Sequence, residues 1–303
     1  MTLLIAFTRF LHLGSATLLL GVFAFMLIVA RPAFQKADNT EGEKFARFDR
    51  LLLSITTWTL LIAVATAILW LAIQSAEMSG RDFWQALAPG IIWTVSTRTQ
   101  FGHVWQLRLG LSVLLGFYLL FRERERDAKD WIALRMEGAF IAGAMIAALA
   151  WAGHAAATEG AARLPHLAAD ALHLLATGVW LGGLLPLALL LHSARRSFTP
   201  AWIVVAREAT RRFSVLGLVS VTTLIFSGLV NSWVLVGSIA GLVGTPYGLL
   251  LLVKLLVLLL VMLTAAINLL YLKPRLLARI PRDSDAPPMR LLRQLQFNVI
   301  GEV

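Results

Sequence analysis

The sequence predicts an all-α fold, a polytopic transmembrane helical bundle, and three observations carry that prediction. Of 303 residues, 58% are hydrophobic and only 15% charged, and the mean hydropathy is +0.77, a balance that no soluble domain of this size tolerates. The apolar residues fall into seven runs, each near the roughly 20 residues that a helix needs to cross the hydrocarbon core. Lys and Arg lie in short blocks between runs, so the formal charge of +10 reads as a topology signal rather than a nucleic-acid surface.

The first run, Leu3 to Ala30, carries Arg9 and His12 and lacks the basic leader and small-residue cleavage site of a signal peptide, so it reads as a retained helix. A charged segment with Arg31, Lys36, Lys44, Arg47 and Arg50 leads to the second run, Leu51 to Ile73. The connection Gln74 to Gly102 holds Trp84, Pro89, Gly90 and Trp93, which suit a segment lying at headgroup level. The third run, His103 to Phe121, ends in RERERDAKD, whose alternating signs read as a solvated turn, and the fourth spans Trp131 to Ala152. The fifth begins near Leu164 and reaches Leu191, followed by a loop with Arg195, Arg196, Arg207, Arg211 and Arg212. The sixth, Phe213 to Val236, is joined by the uncharged GSIAGLVGTPYG to the seventh, Leu249 to Leu272. The tail turns apolar again as it reaches Val303, where an eighth helix would continue the bundle. One integral membrane domain over residues 1–303 is expected.

The loops after runs one, three, five and seven hold several Lys and Arg, whereas those after two, four and six hold little beyond Arg81, Arg98 and Arg163. By the positive-inside rule the heavy loops face the cytoplasm and the N-terminus faces the periplasm. His103 then sits at the outer mouth of the third run and His154 just past the outer end of the fourth. His166 and His173 fall in the outer half of the fifth. At about 1.5 Å per residue, His12 and His173 both lie roughly 12 Å below the outer surface.

The chemistry concentrates between Trp151 and Leu191. His166, Asp170 and His173 fall at i, i+4 and i+7, on one face of a helix. With no cysteine, thiolate ligands and disulfides are excluded, and soft-metal chemistry must rest on His and Met. Histidines grouped on one side point to a metal or haem site, with Asp170 a ligand or the acceptor that orients an imidazole. Imidazole suits copper, zinc, nickel or iron, and spacing does not choose among them. His12 and His173, at similar depth on different helices, also meet the need of a bis-imidazole haem b. Asp170 and Lys254 are costly if they face lipid and are expected to face the bundle interior, where Asp170 with Lys254 or Arg108 would otherwise be a structural ion pair. Gly182 and Gly183 would let a neighbouring helix approach closely. No hydrolase nucleophile elbow, phosphate loop or HExxH motif occurs, so no enzymatic activity and no ATP-driven transport are expected.

Gly153-His154-Ala155-Ala156, the Asp170-Ala-Leu-His173 pair leading into Gly178-Val-Trp180-Leu-Gly-Gly-Leu-Leu-Pro186, and Arg212-Phe-Ser214 resemble the CopD family of copper-resistance membrane proteins. Ser227-Gly-Leu-Val-Asn231, Gly244-Thr-Pro-Tyr-Gly248 ahead of Lys254, and Asn268 ahead of Lys273-Pro-Arg275 add to the likeness, which is strongest over residues 150–275. The resemblance implies an inner-membrane protein of about eight helices that moves copper and works with a separate periplasmic carrier of the CopC type. On that reading His154, His173 and Asp170 form the outer site for a copper ion, His166 and His103 are entrance ligands, and His12 is the next ligand inward. Lys254, Asn231 and Arg108 are the other intramembrane polar residues. Lys254 would balance Asp170 when the site is empty and favour release when it is filled.

Overall fold

The computed structural model describes residues 2–37, 42–120, 128–153, 158–197 and 199–267. His154, most of the RERERDAKD turn, Asn268, the Lys273-Pro-Arg275 segment and the C-terminal tail lie outside the described residues. No strand occurs among the described residues, and seven of their helices are long and apolar enough to cross a membrane.

Helix α1 (Thr2–Phe25) does not stop at the end of its apolar run. It passes through one π turn (Met26–Ala30) into α2 (Arg31–Lys36). Pro32 has no N–H for the ladder, and the wider turn, closed by Arg31 N–H donating to Met26 O, carries the helix into it. Helix α3 (Gly42–Ser79) is 38 residues long, so at about 1.5 Å per residue it far exceeds the roughly 30 Å core. Two short helices, α4 (Phe83–Ala86) and α5 (Pro89–Arg98), fill the next connection, with Trp84 and Trp93 exposed as an interfacial segment requires. Helices α6 (Gln100–Leu120) and α7 (Ala128–Ala147) follow, and α7 tightens into a 3-10 turn (Ala148–Ala152).

Helix α8 (Arg163–Ser197) runs unbroken through Pro186, and α9 (Pro200–Val236) begins well before its apolar stretch. The segment read as a loop carrying Arg207, Arg211 and Arg212 is therefore helical. The Thr199 side chain accepts from Trp202 N at 3.3 Å and Pro200 fits the first turn. Glu208 then pairs with Arg211 and Arg212 at i+3 and i+4, which supports the helix from within. Gly237, at φ 67°, ends it in the left-handed conformation. Helices α10 (Ile239–Gly244) and α11 (Pro246–Ile267) complete the described chain.

Helix α8 is the hub of the packing, against α9 on one side and α1 on the other, while α1 also packs on α3 and α7. A Cβ on Gly182 would collide with the Thr17 carbonyl, and one on Gly21 with the Gly182 backbone. The small residues thus let α1 and α8 touch backbone to backbone, as the sequence leads one to expect. Around this contact Leu19, Phe23, Phe25, Met26, Leu184 and Leu190 are fully buried. At the end of the bundle where the basic residues gather, Arg135 is fully buried and donates to Asp49 at 2.7 Å and to Tyr118 Oη at 3.0 Å, tying α7 to α3 and α6. Helix α11 lies at the margin, with Leu258 and Val261 reaching the core.

Candidate metal-ion site

Near the opposite end of the bundle, α8 and α9 face each other with a polar stripe on each. Asp170 and His173 project from α8 at i and i+3, and Ser227 and Asn231 from α9 at i and i+4. His173 Nδ1 and Ser227 Oγ are 3.0 Å apart. The single hydroxyl proton of Ser227 is already directed at backbone carbonyls, Thr223 O at 2.7 Å and Leu224 O at 3.3 Å. Ser227 therefore accepts and His173 Nδ1–H donates, so the lone pair of this imidazole sits on Nε2. The Leu224 backbone is a second hydrogen-bond partner of this ring, and the side-chain bond to Ser227 is made through Nδ1, which leaves Nε2 as the nitrogen for a ligand. A metal-binding histidine is commonly held this way, one nitrogen anchored by its N–H and the other left open.

Asn231 Nδ2 donates to Asp170 Oδ1 at 3.4 Å, while Asn231 Oδ1 is buried with no hydrogen-bond partner among the described residues. Asp170 and Lys254 both act electrostatically on His173, and Asp170 acts on Tyr247 of α11. The chain end of the 3-10 turn also comes here: a Cβ on Gly153 would stand 3.8 Å from Asp170 Oδ2. His154, the next residue, lies outside the described residues. An imidazole nitrogen, a carboxylate and an orphaned amide oxygen form a donor set suited to a cation.

The other residues singled out by sequence are placed differently. His12 is buried and spends both ring nitrogens. Arg108 Nη1 donates to Nε2 at 2.6 Å, and Nδ1 lies 3.1 Å from Ala63 O and 3.0 Å from Thr66 Oγ1. A guanidinium only donates, so Nε2 must accept and Nδ1 must carry the proton. His12 has no nitrogen to offer as an inward ligand or as half of a bis-imidazole haem site with His173. Arg108 itself is buried, and its Nε donates to Met145 O at 2.8 Å.

His166 is buried rather than set at an entrance, with Nδ1 2.7 Å from Thr158 Oγ1. His103 is exposed and its Nε2–H donates to Thr97 O at 3.0 Å, so Nδ1 is the nitrogen not engaged by that bond. Lys254 is exposed rather than turned into the bundle, because α11 packs only at the margin. Among the described residues no three His, Asp or Glu side chains converge on one metal position.

Sequence reasoning gave no role to Ser227, Tyr247 or Glu208. The spacing of Ser227 and Asn231, two polar residues one turn apart in an apolar helix, was the available signal for the first. Tyr247 and Glu208 needed the helix packing to be known.

Fold and stripe together define a class: all-helical, multi-pass membrane proteins with an imidazole and a carboxylate presented between two helices. The chain belongs to the copper resistance protein D family. Residues 1–164 match the copper resistance protein D-like N-terminal domain, and residues 207–301 match copper resistance protein D. The match thus extends over the N-terminal half, where the motifs were weak. Among individual relatives, a copper resistance protein D of Pseudomonas syringae pv. tomato is 31% identical over 245 residues, 80% of this chain and 76% of that protein. The copper transport protein CutJ of Bacillus subtilis (strain 168) is 33% identical over 62% of this chain and 34% of its own length. The inner membrane protein YebZ of Escherichia coli (strain K12) is 28% identical over 99% of this chain and 95% of that protein. No solved structure matches the chain.

Proposed function

We propose that this chain carries copper across the bacterial inner membrane as a transporter rather than an enzyme, through a site on His173 and Asp170 at the periplasmic side. The observation that carries the reading is the His173 imidazole, held through Nδ1 by Ser227 of α9, the helix that also sets Asn231, with its unpartnered Oδ1, against Asp170. Family membership and relatives named for copper resistance and copper transport support copper as the cargo. His154 is the natural further ligand, since Gly153 abuts the Asp170 carboxylate.

The Lys- and Arg-rich end faces the cytoplasm by the positive-inside rule, which puts this stripe and the N-terminus toward the periplasm. A separate copper carrier of the CopC type delivers the ion there, and the exposed His103 is the entrance ligand that meets it. The ion exchanges water for His173 Nε2 and the carboxylate as it enters. The Lys254 charge, which acts on His173, opposes full occupancy and favours release.

The test is metal content with an absorption spectrum on purified, copper-loaded protein, wild type beside His173→Ala. Copper in the wild type that is lost in the variant, with no Soret band, supports the reading. Copper content unchanged by the substitution places the site elsewhere.

A further inference from the structure

We infer that the basic end of the bundle carries a binding site for the phosphate of an anionic phospholipid, built on Lys36, Arg211 and Arg212 and organised by Glu208. This inference is independent of the copper site, which lies at the other end.

The Glu208 side chain is only 4% exposed and is saturated. Its Oε1 accepts from Arg211 Nη2 at 2.5 Å and Arg212 Nε at 2.8 Å, and its Oε2 from Lys36 Nζ at 2.9 Å and Arg211 Nε at 3.0 Å. One carboxylate therefore fixes three cations from two segments, α2 and α9. No second carboxylate pairs with them among the described residues. A closed structural network would balance its charges, whereas this one leaves two positive charges over.

The surplus faces outward. The three cationic side chains are 60%, 47% and 35% exposed. The Lys36 ammonium, Arg211 Nη1 and Arg212 Nη2 keep N–H groups that Glu208 does not use. One turn before Arg211, Arg207 has its Nε buried without a hydrogen-bond partner among the described residues. Fixed, forked donors of this kind match the oxygens of a phosphate.

Depth and surroundings select a lipid as the source. Helix α9 has 37 residues, about 55 Å against a core of roughly 30 Å. Its apolar stretch starts at Phe213, directly after Arg212, so the cations sit where headgroup phosphates lie. Below Arg211 on the same helix face, Val215, Leu218 and Val219 are 55%, 61% and 60% exposed. A diacyl lipid would lay its chains on this apolar face with its phosphate against Lys36 and Arg211.

The experiment is native mass spectrometry of the full chain released from nanodiscs of mixed phosphatidylglycerol and phosphatidylcholine. Wild type is expected to retain phosphatidylglycerol over phosphatidylcholine, and a large excess of inorganic phosphate is expected to leave that retention intact. Lys36→Gln with Arg211→Gln should lower retention about tenfold or more, the loss expected when charge-assisted hydrogen bonds to the ligand are removed. Glu208→Gln should lower it too, because the cations remain but lose their common anchor. Equal retention of the two lipids by wild type overturns the inference without any variant. So does full displacement by inorganic phosphate, which would mark a free-anion site, and so does unchanged retention in the double variant.

Discussion

Arg108 Nη1 donates to His12 Nε2 at 2.6 Å, deep in the bundle, and that bond closes the histidine to any ligand. His12 looks from sequence like a partner for His173, yet the two side chains belong to different networks. His12 answers to α3 and α6, and His173 to α9.

His12→Phe should therefore leave copper content unchanged while lowering stability. It strips the buried Arg108 of one acceptor, a loss of about 1–3 kcal/mol for an unsatisfied buried donor. Thermal unfolding in detergent and metal analysis read the two effects separately. Loss of copper in this variant would put His12 on the path and contradict the bonding described here.

Asp49 and Arg135 make the corresponding tie at the basic end, at 2.7 Å with the arginine fully buried. Asp49→Leu alone should cost about 3–5 kcal/mol, because it removes one partner of a buried ion pair and leaves the other in place. Asp49→Leu combined with Arg135→Met should cost less than that single change. Strictly additive losses in denaturation curves would show that the pair does not act as a unit.

Much of the fold was legible in the sequence because the bilayer imposes simple rules. Seven apolar runs gave seven long helices in order, and the aromatic connection gave the short exposed helices around Trp84 and Trp93. The ends of the long helices were misread, since Arg207 to Arg212 are charged and helical at once: Glu208 neutralises part of that charge inside the helix. The geometry of the candidate site was legible only along a single helix. The i, i+3 relation of Asp170 and His173 follows from helical geometry, whereas how each imidazole is engaged depends on partners 54 or 96 residues away, Ser227 for His173 and Arg108 for His12. Residue spacing along one helix carries no information about them.

Gly182→Leu should disrupt assembly, since even a Cβ at this position meets the Thr17 carbonyl of α1. Gly14→Ala, with nothing within 4 Å of the added carbon, serves as the control and should be tolerated. The yield of monodisperse protein on size exclusion checks both. A well-behaved Gly182→Leu would mean that α1 and α8 do not pack this closely.

Asn231 sits beside Asp170 with a buried, unanswered oxygen. Asn231→Leu should weaken copper binding by about 10–100-fold, the usual effect of losing a group that supports or orients a ligand. Asn231→Asp should strengthen it by adding a second carboxylate. Titration of the purified variants with copper gives the order, and equal affinity across all three would remove Asn231 from the site.

The central claim is that copper crosses by way of His173. Its most direct test is copper flux into proteoliposomes containing wild type or His173→Ala, with His12→Phe beside them as a variant altered outside the site. The account predicts flux in wild type and in His12→Phe, and its loss in His173→Ala at equal amounts of folded protein. Undiminished flux in His173→Ala would contradict it.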